Sequence, residues 1–242
     1  MGLDWSYDAI EVTADELPAF LDGLDGTWAG LSLTMPLKQA VLPLLKSSSD
    51  LVQQVAAANT VLLPARRGEN TDVFGIVAAL REGGVRRVSS AVVLGGGATA
   101  RSALAALAAL GCRSPTLVVR SAPDETLAAA ARLGVTPTVA DWDPGVLAGC
   151  EVVVSTVPPG AADRFAPYVA DVPVLLDVVY DPWPTPLAAG CRGSVVGGAT
   201  MLLHQAAAQV ALMTGREVPV AAMRSALVRV AGAAGTPQRP RC

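Results

Sequence analysis

The sequence predicts an α/β protein built as two α/β units in series, the second a doubly wound parallel sheet of the Rossmann type. Three observations predict it. Hydrophobic residues make up 52% of the 242 residues but aromatics only 4%, so the excess lies in alanine and valine, the palette of small-residue helices packed on a buried sheet. Short apolar runs alternate with helical patterns at the spacing of βαβ units. A glycine-rich loop, Gly95-Gly96-Gly97, stands between one apolar run and the helix that follows it.

Taken in order, residues 5–12 alternate well enough for a strand, with Tyr7, Ile10 and Val12 as its larger apolar members, and residues 15–24 read as a short helix with an acidic first turn. Residues 29–33 form a second strand. Pro36 suits the first position of a helix beginning at Leu37-Lys38-Gln39 and running to Leu42. Residues 50–58 give a further short helix, 59–63 a strand, and Arg66-Arg67-Gly68 a turn. Asn70-Thr71-Asp72 then introduces a helix over 73–82, stopped by Gly83-Gly84.

The second unit opens on the buried strand 91–94 and the helix 99–110, which Gly111 closes. Strand 116–119, helix 124–133 and strands at 151–155, 172–178 and 194–196 complete its alternation. Amphipathic helices at 201–214 and 220–231 return to pack on the first unit. Residues 1–71 with 200–234 therefore make up one domain, residues 72–199 a second, and the Pro- and Arg-rich residues 235–242 a disordered tail.

The bulk numbers exclude several classes. No apolar stretch has the length of a membrane span, and the first twenty residues carry acids where a secretion signal has a basic region. A cytoplasmic protein is expected. The formal net charge of −3 and the scattered arginines offer no footprint for nucleic acid. Cys112, Cys150, Cys191 and Cys242 have neither paired nor metal-like spacing and His204 is the only histidine, so no metal site is predicted.

Lys38 is the first candidate for chemistry. A cation on the first turn of a helix is in an electrostatically unfavourable place, the kind of setting that suits a lysine able to give and take a proton. The alternative is a solvated lysine on a surface turn. Asp72, Asn59 and Thr60 would supply a carboxylate partner and hydrogen-bonding groups for hydroxyls, which suits a polyol substrate reduced by hydride; capping alone needs one residue of Asn70-Thr71-Asp72, not three. The loop Gly95-Gly96-Gly97-Ala98-Thr99-Ala100 has the strand before it and the helix after it that a dinucleotide fingerprint requires. After the next strand stands Arg120-Ser121, where NAD-binding proteins place an acid, so NADP is favoured. The alternative for Arg120 is a surface arginine at a strand end.

Thr34-Met35-Pro36-Leu37-Lys38, Ala58-Asn59-Thr60, Asn70-Thr71-Asp72, the Gly95 to Ala100 loop, Asp177-Val178-Val179-Tyr180-Asp181-Pro182 with Thr185-Pro186-Leu187, and Met201-Leu202-Leu203 with Gln205-Ala206 occur in that order. In this the chain resembles the shikimate dehydrogenase family over residues 2–223. The resemblance implies NADPH-dependent, reversible reduction of 3-dehydroshikimate to shikimate, with Lys38 as proton donor and acceptor and Asp72 orienting it. It implies that Thr34, Asn59 and Gln205 bind substrate hydroxyls and that Tyr180 lines their pocket. Gly95, Gly97, Ala98 and Ala100 would cradle the pyrophosphate, Arg120 and Ser121 the adenosine phosphate, and Val157 and Met201 the nicotinamide, with core packing as the alternative for the last two. A quinate or aminoshikimate dehydrogenase is the near alternative, and a nucleotide-binding paralogue without catalysis the distant one. A small-molecule substrate and a monomer or homodimer are expected, with no nucleic-acid or membrane partner.

Two departures from the family pattern stand out. Val119 and Asp124 replace an asparagine before Arg120 and a basic residue after it, which weakens the expected preference for NADP. The family's first strand, Ser-x-Ser carboxylate-binding loop and first helix belong ahead of Gly2, so the natural start is expected upstream of Met1. Within residues 1–34 nothing offers two neighbouring hydroxyls to a substrate carboxylate, with Ser6 and Thr13 in the wrong surroundings.

Overall fold

The computed structural model describes residues 2–121 and 123–234, with the side chains of 230–234 excepted. In chain order its first unit comprises α1 (Leu17–Gly23), β1 (Gly30–Ser32), α2 (Leu37–Ala40), β2 (Ser47–Ser48), α3 (Asp50–Val55), β3 (Thr60–Leu62), β4 (Arg67–Glu69) and α4 (Asp72–Glu82). Then follow β5 (Ala91–Leu94), α5 (Ala98–Ala109), β6 (Thr116–Val118), α6 (Asp124–Arg132), β7 (Thr138–Ala140), β8 (Val152–Ser155), β9 (Val174–Asp177), α7 (Pro186–Gly190) and β10 (Ser194–Gly197). Helices α8 (Gly198–Thr214) and α9 (Val220–Ala234) end the described chain.

Six strands form an all-parallel sheet in the order β10-β9-β8-β5-β6-β7, the order of a doubly wound nucleotide-binding fold. Strands β5 and β8 are buried at every position because helices cover both faces. Ile76, Val93, Leu104 and Leu107 lie in the core on one face, Leu94, Val153, Phe165 and Leu175 in the core on the other. The crevice of such a sheet opens at the carboxyl ends of the strands where the order reverses, here between β5 and β8.

The first unit is a four-stranded sheet in the order β1-β3-β4-β2, with its own core around Leu17, Leu37, Val41 and Val61. Helix α8 returns to it, as expected. Gln209 donates to the Asn59 carbonyl and to Thr60 Oγ1 on β3 (3.1 and 3.0 Å), and Met213 fills the space a side chain at Gly30 would need.

Four expectations change. Residues 5–12 alternate but form no strand. An alternating segment needs a neighbour to pair with, and Trp5, Tyr7 and Ile10 stand 50% or more exposed with no ladder partner among the described residues. The turn expected at Arg66-Arg67-Gly68 lies at residues 63–66, where Arg66 takes a positive φ of 48°. Gly68 is inside β4, with the Leu45 side chain packed over the place a Cβ would take. Helix α2 is a single turn, with Pro36 at its N-cap and a 3₁₀ turn over Leu42–Leu44 once Pro43 ends regular bonding. Strands β2, β4 and β7 are additions; each is two or three residues long, and β2 and β4 carry no large apolar side chain. The tail 235–242 lies outside the described residues.

Candidate active site

The loop from β1 into α2 and the start of α4 bring two opposite charges together. Lys38 Nζ lies 2.7 Å from Asp72 Oδ2, both side chains largely buried. With four residues, α2 is too short to set up a macrodipole that acts on Lys38. Its partner is the carboxylate. Asn59 Nδ2 donates to the other oxygen, Asp72 Oδ1, at 2.9 Å, so both carboxylate oxygens are held and the group is fixed in rotation. The same Asn59 amide reaches Thr71 Oγ1 (2.9 Å) and Gln205 Oε1 (3.1 Å), while Asn59 Oδ1 accepts from Thr71 N and Thr60 Oγ1. Asn59 is 1% exposed. It stands behind Asp72 as a brace.

Lys38 sits at the junction of two cavities. One, of about 980 Å³, lies over α8 and is lined by Ser32, Asp72, Met201, Gln205 and Gln209 among others. The other, of about 590 Å³, runs along the carboxyl ends of β5, β6 and β8 past Gly95, Gly96, Gly97, Ser121, Thr156 and Val157. Thr34, Lys38, Thr99, Val178 and Tyr180 line both. Thr34 and Tyr180 are exposed, the latter 59%. The loop that carries Tyr180 is clamped at its base. Asp177, buried at the end of β9, accepts from Thr185 Oγ1 (2.7 Å) and Val179 N (3.3 Å), and its burial pushes the carboxyl pKa up. Ser6 and Ser32 also line the larger cavity, their hydroxyls engaged with Asp8 and Gln209.

The second cavity has the features of a nucleotide cradle. Gly95 has φ of 112°, and a Cβ there would fall 2.5 Å from Thr156 Oγ1, so only glycine fits. A Cβ on Gly97 would meet nothing within 4 Å. Gly97 is the N-cap of α5 and no side chain caps that helix, which leaves its first amides free to receive an anion. Thr126 Oγ1 ties the Gly96 carbonyl at 2.6 Å. Arg120 and Ser121 stand at the far end.

Of the predicted cofactor residues, Ala98 and Ala100 have side chains buried in the core between α5 and the sheet, where smallness permits close helix packing, while their N–H groups belong to the first turn that follows Gly97. Met201 belongs to the lining of the larger cavity and to the same core, not to the lining of the cleft that holds Val157. Four residues escaped the sequence reading. Thr71 and Gln209 complete the polar network, Thr99 lines the junction, and Trp142 lies under Arg120. Thr71 and Thr99 lie inside motifs already singled out, Gln209 stands one helical turn past Gln205 on the same face of α8, and Trp142 carried no signal for its place.

Fold and site together define a dinucleotide-binding α/β protein whose cradle meets a polar pocket at an ammonium–carboxylate pair. Residues 1–61 match the family model described as the shikimate dehydrogenase substrate binding domain, and residues 198–228 the shikimate 5'-dehydrogenase C-terminal domain. The chain is 33% identical to the shikimate dehydrogenase (NADP(+)) of Moorella thermoacetica, over 96% of this chain and 85% of that protein. Shikimate dehydrogenase of Mycobacterium tuberculosis superposes with a TM-score of 0.85 at 39% identity, over 92% of this chain and 88% of that one. Shikimate 5-dehydrogenase of Thermus thermophilus, solved with NADP(H) and shikimate, gives 0.78 at 30% identity, over 94% and 89%. The chain belongs to the shikimate dehydrogenase family.

Proposed function

We propose that the protein catalyses the reversible, NADPH-dependent reduction of 3-dehydroshikimate to shikimate. The observation that carries this is the Lys38–Asp72 pair at the junction where the two cavities meet, so a carbonyl in the larger one faces both a nicotinamide and a proton source. The family relatives support the choice of substrate and of NADP. When bound, NADPH supplies a hydride to the carbonyl carbon. Lys38 holds the proton at the carbonyl oxygen and gives it up as the alcohol forms; in the other direction it receives that proton. Asp72 keeps the ammonium aimed and Asn59 keeps Asp72 from turning. Thr34, Gln205 and Tyr180 bind or enclose the substrate, and Gly95, Gly97, Val157, Arg120 and Ser121 take the cofactor.

On this reading residues 1–71 with 200–234 carry the substrate and 72–199 the cofactor, a division supported by the return of α8 to β3. A cytoplasmic place of action belongs to the same reading; among the described residues no helix is long and apolar enough to cross a membrane. A monomer or homodimer with a small-molecule substrate completes the reading. The test is the rate of NADPH consumption by the purified 242-residue chain with 3-dehydroshikimate, beside quinate with NAD and NADP. Turnover with 3-dehydroshikimate that is lost in Lys38→Ala is expected. Turnover of quinate alone, or none with cofactor still bound, overturns the assignment.

A further inference from the structure

We propose that Trp142 is a specificity-determining residue, holding the Arg120 guanidinium in place for the 2′-phosphate of NADP. This rests on the nucleotide reading of the cleft. Strands β6 and β7 are parallel neighbours in which Val118 pairs with Ala140, and the bond from Val119 N to the Ala140 carbonyl (3.3 Å) continues the ladder. Two residues beyond that pair stand Arg120 and Trp142. Both residues lie just past the carboxyl ends of their strands, where they line the same cleft and their side chains meet.

There the guanidinium carbon lies 5.5 Å from the indole centroid, inside the range of a cation–π contact. The indole is itself braced. Phe165, fully buried, meets it edge to face with centroids 4.9 Å apart and planes at 83°. Arg120 therefore stacks on a fixed surface rather than waving from a loop.

The geometry matters because charge is scarce. Among the described lining residues of this cleft the cations are Lys38 and Arg120, and Lys38 is paired with Asp72 at the other end. A phosphate at the Ser121 end meets Arg120 alone. An exposed arginine surrenders rotamer freedom when it grips a phosphate. Stacking on a fixed ring takes up that loss beforehand. A cation–π contact consumes no particular N–H group, so the guanidinium fork can still take two phosphate oxygens.

The test measures dissociation constants of NADPH, NADH and 2′,5′-ADP for the whole protein and for Trp142→Leu, Trp142→Phe and Arg120→Ala, with melting curves to establish folding. Trp142→Leu should weaken NADPH and 2′,5′-ADP by about two- to fivefold and leave NADH unchanged. Trp142→Phe, which keeps an aromatic face, should restore most of that loss. In the background of Arg120→Ala, Trp142→Leu should cost nothing further for NADPH. Equal weakening of NADPH and NADH, or no effect of Trp142→Leu on either, overturns the proposal while the nucleotide reading stands. If Arg120→Ala leaves discrimination between the two cofactors intact, the reading of the cleft fails and the proposal with it.

Discussion

Lys38 and Asp72 are 34 residues apart in sequence and 2.7 Å apart in space, one on a single helical turn after β1, the other in the first turn of α4. Neither element would hold the contact alone. The one-turn α2 is fixed by burial of Leu37 and by the Ala58 amide, which donates to the Lys38 carbonyl at 2.9 Å. Asp72 is fixed by Asn59. The pair is thus a product of β3 and the residues just before it, which grip both sides of it.

Lys38→Ala is expected to lower kcat by about 10²–10⁴-fold, the usual worth of a positioned proton-transfer group. Cofactor binding should stay close to that of the parent, since the cradle at Gly95–Gly97 and the Arg120 end are untouched. Steady-state kinetics beside a fluorescence titration of NADPH measures both. A kcat within tenfold of the parent would show that the proton comes from elsewhere.

Asp72→Asn keeps the shape and removes the charge. It leaves the ammonium of Lys38, 13% exposed, without its counter-ion, and replaces an acceptor with a group that can present Nδ2 to Lys38 or to Asn59. A fall in kcat together with a loss of roughly 2–4 kcal/mol in unfolding free energy is expected, since breaking such a pair strands a charge. Denaturant titration gives the second figure; an unchanged midpoint would mean that the pair is hydrated and energetically idle.

Arg120→Ala should raise the KM for NADPH well above its parent value and leave that for NADH nearly unchanged, because on the proposed reading Arg120, a lining residue of the cleft, takes the 2′-phosphate that NADH lacks. The ratio of the two KM values is the measurement. A parallel rise in both would place Arg120 on the shared part of the cofactor.

The parts legible in the sequence are those where one local pattern decides the outcome. The run Ala91-Val92-Val93-Leu94 before Gly95 is apolar throughout because both faces of a central parallel strand are covered, and no other element of that length reads so. The Lys38 and Asp72 motifs were legible as motifs, but their contact depends on β3 and β4 pairing in register, with Asn59 next to that ladder. What was illegible depends on direction or partner. Asn59 can point to a cavity or to Asp72 with the same sequence around it. Arg101 in an alanine-rich helix reads as a surface residue, yet it is 1% exposed because α3 ends beside it. Trp142, placed past a strand too short to recognise, gains meaning only from the register of β6 and β7.

A pH effect on stability should come from Glu82. Its pKa is lowered from the ordinary 4.5 by the hydrogen bond with His204 Nε2 (2.9 Å) and then by that from Arg224 (2.7 Å), which join α4 to α8 and α9. Between the lowered value and 4.5 the unfolded chain binds the proton more readily than the folded one, so this contribution is present above 4.5 and disappears as the pH falls through the lowered value. Glu82→Gln should melt below the parent at neutral pH, with the difference closing in acid. Because the carboxylate is well exposed the effect is small. A difference in melting temperature that does not vary with pH would assign it to packing.

Arg101 joins the two units. From α5 its Nε donates to the Val55 carbonyl at 2.7 Å and its Nη2 to that of Ala56 at 3.0 Å, groups that the end of α3 leaves without helical partners. Its Nη1 reaches Glu125 Oε2 at 3.3 Å, and Glu125 also accepts from Gln39 Nε2 at 2.6 Å, one residue from Lys38. Burial pushes the guanidinium pKa down, but three acceptors keep the charge compensated. Arg101→Met fills similar space with no donors and strands both carbonyls. It should cost roughly 3–5 kcal/mol of unfolding free energy. Arg101→Lys should recover only part, since one ammonium does not span two carbonyls and a carboxylate in a fixed plane. Because the same side chain sets α5 against α3, the folded fraction of either variant should also show a raised KM for NADPH. An unfolding free energy within about 1 kcal/mol of the parent for Arg101→Met would mean that packing of α4 against α5, not this arginine, fixes the two units together.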